Sequence, residues 1–160
     1  LTGIANRRHF FDLATREFST VREAGRPLAA LMIDIDHFKR VNDTHGHQVG
    51  DDVIRGVADR FRRTAGTGDI LGRYGGEEFA VVIAAGEDVV ATAERFRCAV
   101  TDEPIATRTG PLEVTVSIGV ARLRATDDDI GALLGRADAQ LYDAKQGGRN
   151  RVNAEDPSDE

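Results

Sequence analysis

Two adjacent glycines and two adjacent glutamates, Gly75-Gly76-Glu77-Glu78, stand between the strand-like runs Ile70-Leu71 and 79–83. This order reads as a β-hairpin whose tip is built from residues tolerant of unusual backbone angles. Glycine also lets a bulky ligand press against the main chain. Carboxylates at the same tip offer the hard oxygen ligands that a Mg2+-bound phosphate requires. Asp34 and Asp36 close the apolar run 28–33, and an acid ending a buried strand is costly unless something compensates it. If the first strand and the hairpin lie side by side, Asp34, Glu77 and Glu78 converge into a carboxylate cluster suited to Mg2+ or Mn2+. If both aspartates fall in the loop beyond the strand, they are helix caps instead.

Asn42 and Asp51 flank the glycine-bounded segment 46–50. An amide and a carboxylate at that spacing can read a guanine, the carboxylate taking its N1 and N2 protons. A turn residue and a helix cap account equally well for each alone. Lys145 and Arg149 enclose Gly147-Gly148 at the end of the last helical pattern. Cations there either complement the helix dipole or reach the phosphates of a nucleotide. His45 and His47 lack the partners of a zinc site, and no Gly-x-x-x-x-Gly-Lys-Ser/Thr phosphate loop is present.

Alternating helical and strand patterns surround these residues. Asn6 caps a helix to about Ala24, with Phe10, Leu13, Ala14, Phe18 and Val21 on one face. The run 28–34 reads as a central buried strand. A short helix over 38–43, a turn over 46–50 and a longer helix through Val53, Val57 and Phe61 precede the hairpin. A helix with Val89, Ala93, Phe96 and Val100 inward follows it. A strand over 114–121, paired with 105–108, then leads to a last helix capped by Thr126 or Asp127, and to an edge strand over 150–153. The expected fold class is α/β (α+β): a ferredoxin-like β-α-β-β-α-β mixed sheet with flanking helices.

The 160 residues suit one domain, expected over 1–153, with an acidic disordered tail over 154–160. A net charge of −6 argues against a nucleic-acid partner. No apolar run approaches a membrane span and no signal peptide opens the chain, so no membrane contact is expected of this domain. Cys98 is the single cysteine, which makes a reducing, cytoplasmic setting the default expectation.

Taken together, the blocks resemble the GGDEF family of diguanylate cyclases over nearly the whole chain. They are Leu1-Thr2-Gly3-Ile4-Ala5-Asn6-Arg7-Arg8, Asp34-Ile35-Asp36-His37-Phe38-Lys39, Val41-Asn42-Asp43, Gly46-His47-x-x-Gly50-Asp51, Arg73-Tyr74-Gly75-Gly76-Glu77-Glu78-Phe79, Thr115–Ala121 and Ala137–Asn150. The resemblance implies condensation of two GTP molecules into cyclic di-GMP and two pyrophosphates, in a transient homodimer. It implies two Mg2+ or Mn2+ ions per site, held by Asp34, Glu77, Glu78 and the Ile35 carbonyl. Glu77, which helps to activate the ribose 3′ hydroxyl, Asp34 and Lys39 are then the catalytic residues. Asn42 and Asp51 match the guanine readers, Lys145 and Arg149 the phosphate contacts. Phe38 and Lys39 lie near the triphosphate, and Gly75 and Gly76 complete the substrate site.

The family's inhibitory product site uses Arg-x-x-Asp, and this chain reads Gly66-Thr67-Gly68-Asp69. That site is therefore expected to be degenerate, with Arg95 as a secondary contact and Arg62 and Arg63 turned away by helical phase. The chain opens without the acidic residue that usually precedes this segment, so a catalytic fragment of a larger protein, with an upstream sensor, is expected. The competing reading is a catalytically silent domain that binds GTP as a regulatory module.

Overall fold

In the computed structural model, which describes residues 2–84 and 88–156, a five-stranded sheet carries helices on both faces. The elements are α1 (Arg7–Ala24), β1 (Ala29–Ile35), α2 (Phe38–His45), α3 (His47–Thr64), β2 (Ile70–Arg73), β3 (Glu78–Ile83), α4 (Val89–Thr101), β4 (Ile105–Thr107), β5 (Gly110–Leu112), β6 (Val116–Arg122), α5 (Ile130–Gln146) and β7 (Val152–Ala154). The sheet order β2-β3-β1-β6-β7 puts β1 at the centre. β1, α3, β2, β3, α4 and β6 make the expected β-α-β-β-α-β core, and β7 adds a parallel edge to β6.

β1 is buried along its whole length, because both its faces are covered and alternate side chains enter different cores. Ala29, Leu31, Ile33 and Ile35 pack with α3 and α4 through Val57, Phe61, Ala93 and Phe96. Ala30 and Met32 pack with α1 and α5 through Phe10, Phe18, Ala137 and Leu141. The α5 backbone presses onto β6 at Gly119, where a Cβ would stand 2.1 Å from the Ala137 carbonyl oxygen. At α1 the expected signals hold: Asn6 accepts the His9 N–H at 2.9 Å, and Gly25 closes the helix at φ 64°.

Several expectations are corrected. β4 pairs with β5 in a separate two-stranded sheet, not with the strand over 114–121, which as β6 joins β1. Thr109-Gly110 thus turns a short local ribbon, leaving the long apolar run for the core. Asp129, not Thr126 or Asp127, caps α5, accepting the Ala132 N–H at 2.9 Å. Asp127 is buried and engaged by the Arg124 N–H and the Arg136 guanidinium. The break over 46–50 shrinks to Gly46 at φ 89°, and α3 starts at His47. The ordered chain passes residue 153: Ala154 belongs to β7, and Glu155 pairs with Arg136 at 2.6 Å. The remainder of the expected tail, 157–160, lies outside the described residues. Among the described residues no helix is long and apolar enough to cross a membrane.

Candidate active site

β1 and β3 run antiparallel in a register that sets Asp34 directly opposite Glu78. Asp34 shares its strand face with Met32, and Glu78 shares its face with Ala80, so both carboxylates point to the α1/α5 side. Asp34 is only 5% exposed. Its Oδ2 is in an ion pair with Lys145 Nζ from α5, while Oδ1 is buried with no hydrogen-bond partner. Glu77 sits one residue ahead of β3, and its carbonyl accepts the Ile35 N–H at 3.3 Å. The end of the central strand thereby holds the hairpin tip.

The tip is fixed from within. Arg73 Nη2 donates to the Gly76 carbonyl at 2.7 Å, and Nε reaches the Gly75 and Gly76 carbonyls at 3.2 Å. The Tyr74 and Gly75 N–H groups both donate to the Glu78 carbonyl, at 2.8 and 3.2 Å. Neither Gly75 nor Gly76 has a positive φ, so unusual backbone angles do not explain the glycines. Crowding within the chain explains at most one of them: a Cβ on Gly75 would stand 3.2 Å from Glu78 Oε2, the mobile end of a side chain, and one on Gly76 would meet nothing within 4 Å. Arg73 was not singled out from the sequence. An arginine opening a Gly-Gly turn whose carbonyls need donors is the signal that marks it.

Burial pushes the Asp34 carboxyl above its ordinary range; Lys145 opposes this and nearby Asp36 reinforces it. Burial also raises Glu77 and Glu78, and the Asp34 charge raises both further. One lysine therefore does not balance this trio. Among the described residues no three acidic, histidine or cysteine side chains close into a ready metal cage. The arrangement is an open half-shell of hard oxygens with one buried, unpartnered atom. Its donors, all hard oxygens, are of the type that suits a Mg2+-sized cation.

A cleft of about 460 Å3 opens beside this cluster, lined by Asp34, Ile35, Phe38, Lys39, Glu77, Lys145 and Arg149, with Asp36, His37, Arg40 and Asp43. α2 begins at Phe38, so its first-turn amides have no intrahelical acceptors and favour an anion. Lys39 stands at the rim, its side chain 92% exposed and 3.5 Å from Asp43. Arg149 lies beyond α5, not on its last turn, at φ 64° in the turn to β7. The helix-dipole alternative consequently applies to Lys145 alone.

Asn42, Asp51, Gly75, Gly76 and Glu78 are outside the lining of this cleft. Asn42 is inside α2 and Asp51 inside α3, so neither is the turn residue or the cap that the sequence also allowed. Asn42 Oδ1 is buried without a partner, above Gly50, where a Cβ would fall 1.9 Å from it.

Ahead of β2, at the end away from the hairpin tip, Gly66, Asp69 and Arg95 line a second cavity of about 770 Å3. Asp69 Oδ2 accepts the Gly66 N–H at 2.7 Å and so closes the turn. Arg62 lines a neighbouring cavity with Gly66 and Asp69, which corrects the expectation that helical phase turns it away. Its guanidinium is paired with Asp59 at 2.5 Å.

Residues 1–151 match the family model described as "Diguanylate cyclase, GGDEF domain". Response regulator PleD of Caulobacter vibrioides is 42% identical over 156 residues, covering 95% of this chain but only 34% of its own length. The chain thus spans about a third of that relative. The GGDEF domain of DgcB from Caulobacter crescentus, solved in complex with c-di-GMP, superposes with a TM-score of 0.89 at 40% identity, over 96% of this chain and 89% of that one. The active GGEEF domain of a diguanylate cyclase from Vibrio cholerae gives 0.87 at 32% identity, over 94% and 97%. The chain belongs to the GGDEF-domain family of diguanylate cyclases.

Proposed function

We propose that this domain condenses two GTP molecules into cyclic di-GMP and two pyrophosphates. The reading is carried by one observation: Asp34, with a buried unpartnered oxygen, faces Glu78 across adjacent strands beside a cleft that also holds Lys145 and Arg149. Two Mg2+ or Mn2+ ions held by Asp34, Glu77, Glu78 and the Ile35 carbonyl would polarise the α-phosphate and stabilise the leaving pyrophosphate. Lys145 and Arg149 neutralise the phosphates, Lys145 exchanging its Asp34 partner for substrate oxygens. The first-turn amides of α2, with Phe38 and Lys39 at its start, support the same anion. Glu77 takes the proton of the ribose 3′ hydroxyl; a carboxyl raised by burial is the stronger base once ionised. Asn42 and Asp51 read guanine, and Gly75 and Gly76 keep the tip open to the nucleotide.

One cleft accommodates one nucleotide, and the product has two equivalent halves. Turnover therefore takes two copies facing each other across a two-fold axis. With an acidic chain of charge −6 this homodimer is transient, brought together by an upstream sensor in the full-length protein. Incubation of the purified protein with GTP and Mg2+ or Mn2+, followed by chromatography, should yield cyclic di-GMP and pyrophosphate. GTP bound but recovered intact over a range of protein concentrations would replace this reading with the silent regulatory one.

A further inference from the structure

We infer that Asp36 is a positioning residue, which sets Arg149 at the phosphate end of the cleft. The inference rests on the GTP-binding reading above. Asp36 is 5% exposed, although it borders the cleft. Its Oδ1 accepts the Ser117 hydroxyl at 2.6 Å, and its Oδ2 accepts the Thr115 hydroxyl at 2.7 Å and the Asn150 N–H at 3.0 Å. Its own N–H donates to the Thr115 carbonyl at 2.9 Å. With three donors on one carboxylate, the group is committed to the protein. It joins the end of β1, the start of β6 and the turn between α5 and β7.

That turn needs an external hold. Arg149 and Asn150 follow one another at φ 64° and 45°, in a region that residues with a Cβ disfavour. The second of them is gripped at its amide and at its side chain. Asp36 holds its N–H, and its Oδ1 accepts from Arg97 Nη1 of α4 at 2.9 Å and from the Thr101 hydroxyl at 3.5 Å. Arg149 is the residue just before this grip, and it lines the cleft with Lys145. Without Asp36 the Asn150 amide loses its acceptor, the strained pair relaxes, and Arg149 swings away from the phosphates.

The test measures GTP affinity by calorimetry, and KM and kcat where turnover occurs. It compares the unaltered protein with Asp36→Ala, Asp36→Asn, Arg149→Ala and the Asp36→Ala/Arg149→Ala double variant. Asp36→Ala should weaken GTP binding about tenfold, and KM should move more than kcat. Asp36→Asn should recover most of the loss, because an amide oxygen can still accept from Asn150 while the Ser117 hydroxyl turns to accept. With Arg149 already removed, the effect should shrink to about twofold or less. If Asp36→Ala does not fold, Thr115→Val, which removes one donor to Oδ2, should show the same pattern in smaller size. Unchanged affinity in the folded variants, or an equal loss with and without Arg149, would overturn the inference. GTP binding without turnover would sink the cyclase reading alone, leaving the affinity ratios to decide on Asp36. No GTP binding by the unaltered protein would sink both.

Discussion

Asp34→Asn should separate catalysis from stability. The folded protein raises the Asp34 carboxyl, because burial outweighs the attraction of Lys145. A raised carboxyl contributes stability below its unfolded value and loses it as pH rises through the folded value. At neutral pH the ionised group is thus a net cost to the metal-free fold. Asparagine keeps the shape, can turn its oxygen to Lys145, and removes the buried charge. The ion pair with Lys145, whose side chain is 30% exposed, is already part of that balance, because burial outweighs it. The Tm of the metal-free variant should therefore stay level or rise by a few degrees. Turnover should fall about 10²- to 10³-fold, roughly 3–4 kcal/mol, as for loss of one preorganised charge contact at a reacting phosphate. Melts without metal and cyclic di-GMP formation from GTP read the two effects on one preparation. A Tm lowered by more than about 4 °C, roughly 1–2 kcal/mol, would show that the carboxylate is structural. Activity retained within about threefold, less than 1 kcal/mol of barrier, would remove Asp34 from the chemistry.

Burial also raises Glu77 and Glu78, so the metal-free protein should lose the stability contribution of all three carboxylates as pH climbs above the usual range of about 4. Mn2+ should lift the Tm at pH 8 and have little effect at pH 5, since protons compete for the same oxygens; equal lifts at both would refute this linkage. Gly119→Ala puts a Cβ 2.1 Å from backbone atoms of Ala137 and Leu141, and calorimetry should find a loss of about 3 kcal/mol, some 10 °C in Tm. Gly66→Arg should create product inhibition, because guanidinium grips phosphate and guanine edges in a bidentate way. The new Cβ meets Asp69 Oδ2 at 3.3 Å, a contact that small movement of the carboxylate relieves. Dose–response curves should show the unaltered protein resistant to micromolar cyclic di-GMP and the variant inhibited; matching curves would show that Arg62 or Arg95 already completes the site.

The residues themselves carry whatever depends on neighbours in sequence. The apolar run ending at Asp34 declared a buried strand, the spacing of Phe10, Ala14, Phe18 and Val21 declared the inner face of α1, and the ordered blocks from Asn6 to Asn150 marked the family. Local propensity and periodicity act over a few residues, so they can be read without a fold. Tertiary structure decided whatever depends on register and on competition between partners. It set Asp34 opposite Glu78 rather than one residue off, where the carboxylates would fall on different faces. It gave β6 to β1 and left β4 to β5, because the long apolar run gains more in the core than in a surface ribbon. It passed the α5 cap from Asp127 to Asp129 once the Arg136 guanidinium had claimed Asp127. It also set Arg149 past the helix end and assigned Asp36 to hold that turn. Each of these is a choice among acceptors or strand partners far apart in the chain, made by packing that no local pattern encodes.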